Sequence, residues 1–426
     1  MIAVTTIGVS AAPLAATPTL SGLVAPRTTK APQGHAQLLV GVKLSEPAKL
    51  QIQLTTGADA RVVQSVTTQT DHPAGRAYVL VPAVDASGFQ LAAGDYAVSV
   101  EAISPTGEHS KPLRAPATIQ LDAPLGRLDA LTVPLLAPFA RQLRIDTGGQ
   151  LVAVVAPGGP AATAGLHRGD VIVAVNGKST GTQGAFRVAL STTPAATPVA
   201  IDVRRGAQTL NLSVTLQPDW TAPIDFTKAL TVANRRAKGL LFLQYAAVRN
   251  QINLGRPDAA AKLLATWKPA ARRGVVGQLL TGDIALARAD GRNALVAYQR
   301  AALRAPQLAQ AALGIGLADT LVGDLGGAVD ALTRAATLDP SDAEATATRA
   351  LALLRLDRTA DALSTATLAL QIDPTSANAK IAQGIAQIAN GTVVDGLTVL
   401  RQGITETADA SRAQSVIQKN LEPNDP

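Results

Sequence analysis

Residues 157–178 read PGGPAATAGLHRGDVIVAVNGK, and this stretch decides how the middle of the chain folds. Pro160 opens a short helix, because proline fits the first helical turn, and Gly165 ends it. The run Val171–Val175 is apolar on both alternating faces, which predicts a strand buried on both sides. The next two residues, Asn-Gly, are the strongest short signal of a β-hairpin. Each conspicuous residue of the stretch therefore has a structural role.

The end of this stretch also resembles the end of a phosphate-binding loop, because Gly177–Thr180 reads GKST. Such a loop needs a glycine five residues before Gly177, and that position is Ile172 in the predicted strand. A strand has no free backbone amides with which to hold phosphate groups. We therefore expect no nucleotide site here.

The segment PAATAGLHRGDVIVAVNGK (160–178) resembles the PDZ domain, in the form carried by high-temperature-requirement serine proteases and other bacterial envelope proteins. The resemblance extends over about 136–218, where VAIDVRRGAQTLNLSVTL (199–216) is similar to the closing hairpin. It implies a small α/β, barrel-like domain that binds a peptide as an added strand between one strand and one helix. The chain lacks a Gly-Asn-Ser-Gly-Gly nucleophile segment, so no protease accompanies the domain.

The same resemblance implies a peptide groove. In that family the backbone amides of a loop written X-Φ-Gly-Φ take the carboxylate of the peptide, and residues 142–145 (QLRI) occupy its place here. The helix of the groove corresponds to 182–190. The implied peptide-binding residues are Leu143, Arg144, Ile145, Phe186 and Leu190. Arg144 replaces the loop glycine, so its guanidinium is expected to meet the carboxylate. A PDZ fold that has lost or narrowed its peptide preference is the alternative.

The C-terminal part of the chain repeats with a period of 34 residues. Three series share this register: Ala260, Ala294, Ala328, Ala362 and Gly396; Gly282, Gly316, Ala350 and Gly384; Pro306, Pro340 and Pro374. Small residues let two helices approach closely, and proline ends the second helix of each unit. The pattern resembles the tetratricopeptide repeat, which implies an all-α solenoid over 226–426 with units at 241–274, 275–308, 309–342, 343–376 and 377–410.

In tetratricopeptide arrays the first helix of each unit supplies most of a concave binding face. Transferred to this register, the family's inward positions form an apolar row: Leu279, Leu313, Leu317, Leu351, Leu354, Ile381, Ile385 and Ile388. Such a row implies an amphipathic or extended apolar partner. The alternative for part of the row is core packing between neighbouring helices.

Residues 18–122 carry short strand patterns separated by turn residues, for instance AKLQIQL (48–54) and YAVSVEAI (96–103). They predict an all-β sandwich, followed by a linker over 123–135. The run DASGFQLAAGDYAVSVEAISPTG (85–107) resembles the last hairpin of bacterial immunoglobulin-like or fibronectin type III-like modules. Such modules usually act as spacers or adhesive surfaces.

The first residues, MIAVTTIGVSAAPLAAT (1–17), form an apolar segment that ends in small residues, with no Lys or Arg before Arg27. This segment predicts either a signal peptide of a secreted or cell-envelope protein, or an apolar tail on a cytoplasmic one. Elsewhere the chain has no run of about 18 apolar residues, so no transmembrane helix is expected.

The composition excludes several kinds of site. The chain has no cysteine, its four histidines are scattered, and it has no Gly-x-Ser-x-Gly elbow. We therefore expect no catalytic residues, no metal and no cofactor. Aromatic residues make up 3%, and no basic run is interleaved with them, so nucleic acid is not an expected partner. The charge is uneven: residues 228–304 hold 14 basic and 3 acidic residues, whereas 305–426 hold 8 and 14.

Together these patterns predict a multidomain, non-enzymatic scaffold of the bacterial cell envelope that binds proteins or peptides, including C-terminal or apolar segments. Two alternatives stay open. One is a regulatory or substrate-delivery subunit of an envelope protease, and the other is a structural or adhesion component of the cell wall. The patterns predict no particular oligomeric state.

Overall fold

The computed structural model describes residues 17–25, 29–32, 37–56, 61–85, 91–122, 126–145, 148–218, 224–406 and 416–417. The predicted apolar segment 1–17 lies outside these ranges, apart from Thr17. The chain divides into two compact units. The first consists mainly of His35–Leu121 and the second mainly of Asp122–Val416.

The described residues up to Asp122 form eight strands: β1 Leu20–Val24, β2 Thr29–Pro32, β3 Gln37–Leu44, β4 Lys49–Thr56, β5 Val62–Thr67, β6 Gly75–Pro82, β7 Gly94–Ile103 and β8 Leu113–Asp122. One sheet has the strand order β1-β3-β6, and the other has the order β2-β8-β7-β4-β5. In β4, Leu50, Ile52 and Leu54 are buried and alternate with half-buried Gln51 and Gln53. This alternation follows from the two-residue period of a strand.

Both sheets contribute to one hydrophobic core. Val40 of β3 and Val79 of β6 lie in the same cluster as Ile52 of β4 and Val100 of β7. The β-rich N-terminal region that the strand patterns predict is confirmed. Its likeness to immunoglobulin or fibronectin type III modules stays a prediction.

The second unit begins with a small sheet and three helices: β9 Gly126–Arg127, β10 Ala130–Pro134, α1 Ala137–Leu143, β11 Gln150–Val155, α2 Pro160–Thr163, β12 Val171–Val175, β13 Lys178–Ser179, α3 Gln183–Ser191, β14 Pro198–Arg205, β15 Gln208–Thr215 and β16 Gln217–Pro218. The main sheet has the order β10-β11-β12-β14-β15, with β13 paired to β12. Strand β10 therefore lies at one edge of the sheet. Strands β9 and β16 pair separately.

The stretch 157–178 forms the elements that its residues predict. Helix α2 starts at Pro160, and the hairpin between β12 and β13 turns at Asn176 and Gly177, whose φ angles are 49° and 73°. Two successive left-handed residues are what a two-residue hairpin turn needs. Asp170 is 1% exposed, and the guanidinium of Arg205 donates two hydrogen bonds of 2.7 Å to its carboxylate. The pair Gly169-Asp170 thus has a structural role.

The remainder of the second unit is helical: α4 Thr227–Arg236, α5 Leu241–Asn253, α6 Pro257–Ala265, α7 Pro269–Arg273, α8 Val275–Ala287, α9 Gly291–Arg304, α10 Ala309–Val322, α11 Leu325–Leu338, α12 Ala343–Arg355, α13 Thr359–Ile372, α14 Ala377–Ala389 and α15 Val393–Glu406. Helices α5, α8, α10, α12 and α14 start 34 residues apart, at the starts of the predicted units. We call α4–α15 the solenoid. Among the described residues, no helix combines the length and the apolar character that crossing a membrane requires.

Small residues let the helices of each unit pack closely. A Cβ atom on Gly316 of α10 would lie 2.5 Å from Cγ of Leu332 on α11, and one on Gly282 of α8 would meet the ring of Tyr298 on α9. Ala260, Ala294, Ala328 and Ala362 of the second helices are fully buried. The helical solenoid that the 34-residue register predicts is confirmed.

Candidate functional site

A groove lies between the edge strand β10 and helix α3. Its cavity has a volume of about 500 Å³, and we call it the β10–α3 groove. Thr182 positions α3, because its hydroxyl caps the helix by accepting a hydrogen bond of 3.2 Å from the N–H of Ala185. Phe186 and Leu190 of α3 line the groove, as the resemblance to PDZ domains predicts. Phe186 is 8% exposed and belongs to the core of the sheet, so it forms the floor of the groove.

Strand β9 and residues 128–129 lead into β10. Arg127, Leu128, Asp129 and Ala130 all line the groove. Asp129 has a φ of 55°, the left-handed conformation that glycine adopts most readily. It is also nearly buried, and its carboxylate accepts a hydrogen bond from the guanidinium of Arg127. A loop of the form X-Φ-X-Φ therefore precedes the edge strand, with Asp129 where the family pattern has glycine.

The structure places residues 143–145 elsewhere. Leu143 ends α1, Arg144 caps it in a left-handed conformation with its side chain exposed, and Ile145 follows. Leu143 and Ile145 are half-buried against the core that the sheet shares with the solenoid. None of the three lines the β10–α3 groove, which differs from the sequence-based prediction.

The reason is that α1 packs onto the solenoid. The ring of Phe139 on α1 meets the ring of Tyr245 on α5 edge to face, with 5.5 Å between the ring centres. The side chain of Gln142 donates a hydrogen bond of 2.7 Å to the carbonyl of Gly239 and accepts one of 2.9 Å from the N–H of Leu241. These contacts hold the end of α1 against the start of α5, away from α3.

The solenoid supplies a third wall of the groove. Ile224 and Phe226, which lead into α4, line it together with Asn250 and Asn253 of α5. The side chain of Asn250 accepts a hydrogen bond of 3.3 Å from the N–H of Phe226 and so fixes this segment. Strand β10 and helix α3 therefore face a wall of two apolar and two amide side chains, which the sequence patterns did not indicate.

Helix α3 also packs on the solenoid with its N-terminal turn. The guanidinium of Arg187 donates hydrogen bonds of 2.6 Å to Asp342 and 2.5 Å to Glu344. The N–H of Gly184 donates one of 3.2 Å to Asp339. Burial raises the pKa of Asp342, although the charge of Arg187 opposes that change. At this contact the positive charge of Arg187 is thus paired with two carboxylates, and the contact is partly removed from water.

An inner cavity of about 530 Å³ lies between the start of α3 and the first helices of the solenoid units. The hydroxyl of Tyr298 donates a hydrogen bond of 2.6 Å to Asp283, and Arg249 donates one of 2.8 Å to the same carboxylate. Burial raises the pKa of Tyr245 to about 12, and burial together with Asp283 raises the pKa of Tyr298 still further. Both hydroxyls therefore stay protonated at neutral pH, and that of Tyr298 gives its one proton to the hydrogen bond with Asp283.

The predicted concave row is only partly brought together here. Leu279, Leu313 and Leu317 line the inner cavity. Leu351 and Leu354 are half-buried against clusters formed by neighbouring helices. Of the α14 members, Ile381 is fully buried, whereas Ile385 and Ile388 are half-buried. The latter five do not line this cavity. Among the described residues, no group of three or more His, Asp or Glu side chains could hold a metal ion.

Comparison with known proteins finds a family match that includes helix α3 but not strand β10. The family model of the PDZ domain matches residues 151–205. The periplasmic serine endoprotease DegP of Escherichia coli is 25% identical over 135 residues, which is 32% of this chain and 28% of that protein. DegP of Salmonella typhimurium is 28% identical over 101 residues, or 24% of this chain and 21% of that protein. The chain thus spans less than a third of the length of these curated relatives.

Solved structures similar to this chain include MamA, with a TM-score of 0.33, 18% identity, and coverage of 37% of this chain and 93% of that chain. A thermophilic TPR protein of Thermus thermophilus has a TM-score of 0.35 and 16% identity, with 42% of this chain and 97% of that chain covered. The family match supports a PDZ-like region at residues 151–205 of this chain.

Proposed function

We propose that this chain is a non-enzymatic scaffold that binds extended segments of partner proteins in the β10–α3 groove. One observation carries the proposal: an edge strand faces a helix across a cavity of about 500 Å³ with an apolar floor. An edge strand offers main-chain hydrogen bonds to an added strand, and pockets beside it select side chains. The match of residues 151–205 to the PDZ domain supports this use of the groove.

The groove suits an internal segment better than a free carboxyl terminus. Asp129 occupies the loop position from which PDZ domains present backbone amides to a carboxylate, and its own carboxylate is nearly buried there. A carboxylate that entered beside this group would need an unpaired cation to balance its own charge. Arg127 already pairs with Asp129, so its charge is not free for a ligand. The partner segment therefore passes through the groove instead of ending in it.

A peptide array tests both parts of this proposal. Each decapeptide is displayed once with a free carboxylate and once amidated, and the full chain is the probe. We expect binders to tolerate amidation and Leu190→Glu to weaken binding about tenfold or more, because the charge would lie on an apolar wall. Leu212→Glu is the matched control, since Leu212 packs on the same core but does not line the groove. Binding that requires the free carboxylate, or that ignores Leu190→Glu, contradicts the proposal.

The inner cavity extends this function to the solenoid. Leu313 and Leu317 of α10 line it beside polar and charged side chains that include Gln310 and Arg249. A concave surface that combines apolar side chains with placed polar groups is typical of a recognition site. We propose that the inner cavity binds a second part of the partner whose extended segment lies in the β10–α3 groove.

The likeness to DegP favours one alternative, a regulatory or substrate-delivery subunit of an envelope protease. That role predicts a changed cleavage rate when the full chain is added to a partner protease. Stable complexes without any change in cleavage rate support the scaffold instead.

For the first unit we propose an immunoglobulin-like or fibronectin type III-like module that acts as a spacer. Two sheets around one core support this assignment. An adhesive role for it in the cell wall predicts binding that survives deletion of everything after residue 135. The proposed location is the cell envelope, which the periplasmic relatives support only weakly. Fractionation of the producing cells tests the location.

A further inference from the structure

The first helical repeat of the solenoid, formed by α5 and α6, differs from the other repeats in its second helix. Helix α6 has nine residues, whereas α9, α11, α13 and α15 have 14 each. The helical conformation is interrupted after α6, around Trp267-Lys268-Pro269, and resumes in α7, which has five residues. Pro269 cannot continue α6, because proline lacks the backbone N–H that a helix interior needs. Helix α6 is therefore too short to cover the neighbouring surfaces of α4 and α5. This leaves an opening bounded by α4, α5, α6 and α7.

The opening is a groove with a volume of about 760 Å³, which we call the α4–α7 groove. Its apolar lining includes Leu230 and Leu241 on one side and Leu263 and Trp267 on the other. Leu230 and Trp267 are almost buried and form the floor, whereas Leu263 is 37% exposed at the edge. Within the described ranges, the groove shares no lining residue with the β10–α3 groove or the inner cavity.

Most neutral polar side chains in this groove already have partners inside the protein. Gln251 donates a hydrogen bond of 2.8 Å to the hydroxyl of Thr227, and the hydroxyl of Thr231 donates one of 2.8 Å to the carbonyl of Thr227. Asn234 donates one of 3.0 Å to the carbonyl of Leu230. What the groove offers to a ligand is therefore mainly apolar surface and charge.

The charge at the groove is positive. Arg235, Lys238 and Lys268 line it, and in the part of the chain that the structure describes none of them forms an ion pair. No acidic side chain among the described residues lines the groove. The surrounding segment 228–304 holds 14 basic and 3 acidic residues. Unpaired cations around an apolar floor attract a ligand that is apolar on one face and acidic beside it.

We propose that the α4–α7 groove binds an amphipathic helix of a partner protein, whose apolar stripe is flanked by Asp or Glu. Helix α4 has ten residues and is thus about 15 Å long, which matches two to three turns of a bound helix. The floor is recessed between helices, and a helix in a groove can reach it with side chains at i, i+3, i+4 and i+7. A flat membrane surface cannot reach a recessed floor. This site does not depend on the function proposed for the β10–α3 groove.

Two synthetic peptides of 14 residues test the proposal against the full chain. They share one leucine stripe, and their flanking positions are all Glu in one and all Lys in the other. By fluorescence anisotropy we expect the Glu peptide to bind at least about tenfold more tightly than the Lys peptide, with affinity falling as salt rises. Equal affinity for the two peptides overturns the proposal.

Charge reversal then locates the site. Lys238→Glu combined with Lys268→Glu is expected to weaken binding of the Glu peptide about tenfold. Lys262→Glu is the matched control and is expected to change it less than about twofold, because Lys262 is exposed on α6 but does not line the groove. Equal effects of the double variant and the control overturn the assignment.

A second pair of variants tests the apolar surface without altering the floor. Leu263→Asp is expected to abolish binding, whereas Leu303→Asp, at an 81% exposed leucine on α9, is expected to leave it unchanged. Binding of phosphatidylglycerol vesicles in place of the peptide overturns the proposal in favour of a membrane. Self-association that the Lys238→Glu and Lys268→Glu pair abolishes overturns it in favour of a second copy of this chain.

Discussion

Replacing Gly184 by alanine is a test of how α3 packs on the solenoid. A Cβ atom on this residue would lie 2.8 Å from the backbone N and Cα of Asp342 and from the backbone carbon of Ser341. Ordinary contacts of a Cβ atom are 3.4 Å or longer, so α3 has to move by about 0.6 Å (3.4 minus 2.8). That movement strains the hydrogen bond of 3.2 Å from Gly184 to Asp339 and the one of 2.8 Å between Thr182 and Ser341.

Two effects of opposite sign compete in this variant. Overpacking against backbone atoms costs about 1–3 kcal/mol. Glycine to alanine at a position without a left-handed φ, such as this one, stabilises a protein by about 0.4–1 kcal/mol, because the unfolded chain loses freedom. With α3 packed as described, the first effect wins, and we expect a net loss of about 1–2 kcal/mol in the free energy of unfolding.

Urea unfolding of the full chain measures this loss when it is followed by the helical far-UV signal, which reports the second unit. Gly181→Ala is the matched control, because its Cβ atom would lie 3.4 Å from the hydroxyl oxygen of Ser179, which can rotate away. We expect the control to change the free energy of unfolding by less than about 0.5 kcal/mol. An increase in stability for Gly184→Ala would refute the packing of α3 on the solenoid.

Two further predictions concern charged and polar contacts of the second unit. Arg187→Ala is expected to lower the free energy of unfolding by about 1–2 kcal/mol at pH 7, because Asp342 is left buried without its counter-charge. Burial raises the pKa of Asp342, and its protonated form needs no counter-charge, so this loss should shrink as the pH falls through that pKa; a loss independent of pH contradicts the explanation. Tyr298→Phe is expected to cost about 1–2 kcal/mol, because Asp283 loses a hydrogen bond of 2.6 Å, and thermal unfolding measures it. No change in melting temperature contradicts that role.

Local patterns in the sequence predict much of this fold. The 34-residue register places the starts of α5, α8, α10, α12 and α14, because small residues are needed wherever two helices approach closely. The Asn-Gly pair predicts the turn between β12 and β13, because only such residues adopt two left-handed conformations in succession without strain. Both predictions depend on neighbours in sequence or on a strict period.

The groove loop could not be located from sequence, because neither candidate retains the glycine of the family pattern. Residues 142–145 have Arg144 at that position, and residues 127–130 have Asp129. Both residues have a positive φ, of 56° and 55°, so even the backbone conformation does not separate them. Only the position of β10 at the sheet edge opposite α3 does so, and strand order depends on contacts distant in sequence.

The concave row shows a similar limit. The positions transferred from the tetratricopeptide family give candidates for a concave face, but not what covers each of them. Leu313 and Leu317 line the inner cavity because α3 packs at its rim, through contacts such as the one between Thr182 and Ser341, which are 159 residues apart. No period in the sequence reports such a contact. The groove residues of α3 were thus predictable, and the contacts that join α3 to the solenoid were not.

The packing of α3 has a consequence for how the second unit would bind a partner. Gln150, Gln183 and Arg187 line both the β10–α3 groove and the inner cavity, so the two spaces share a wall. One hydrophobic core runs from the sheet into α5, which fixes their relative position. A segment held in the groove therefore presents its neighbouring residues to the cavity with no flexible linker to order. Two weak contacts then combine with little further entropic cost, because the second is formed within an already ordered complex. Selectivity for a partner would arise from the pair of spaces, since a partner has to fit the groove and the more polar inner cavity together.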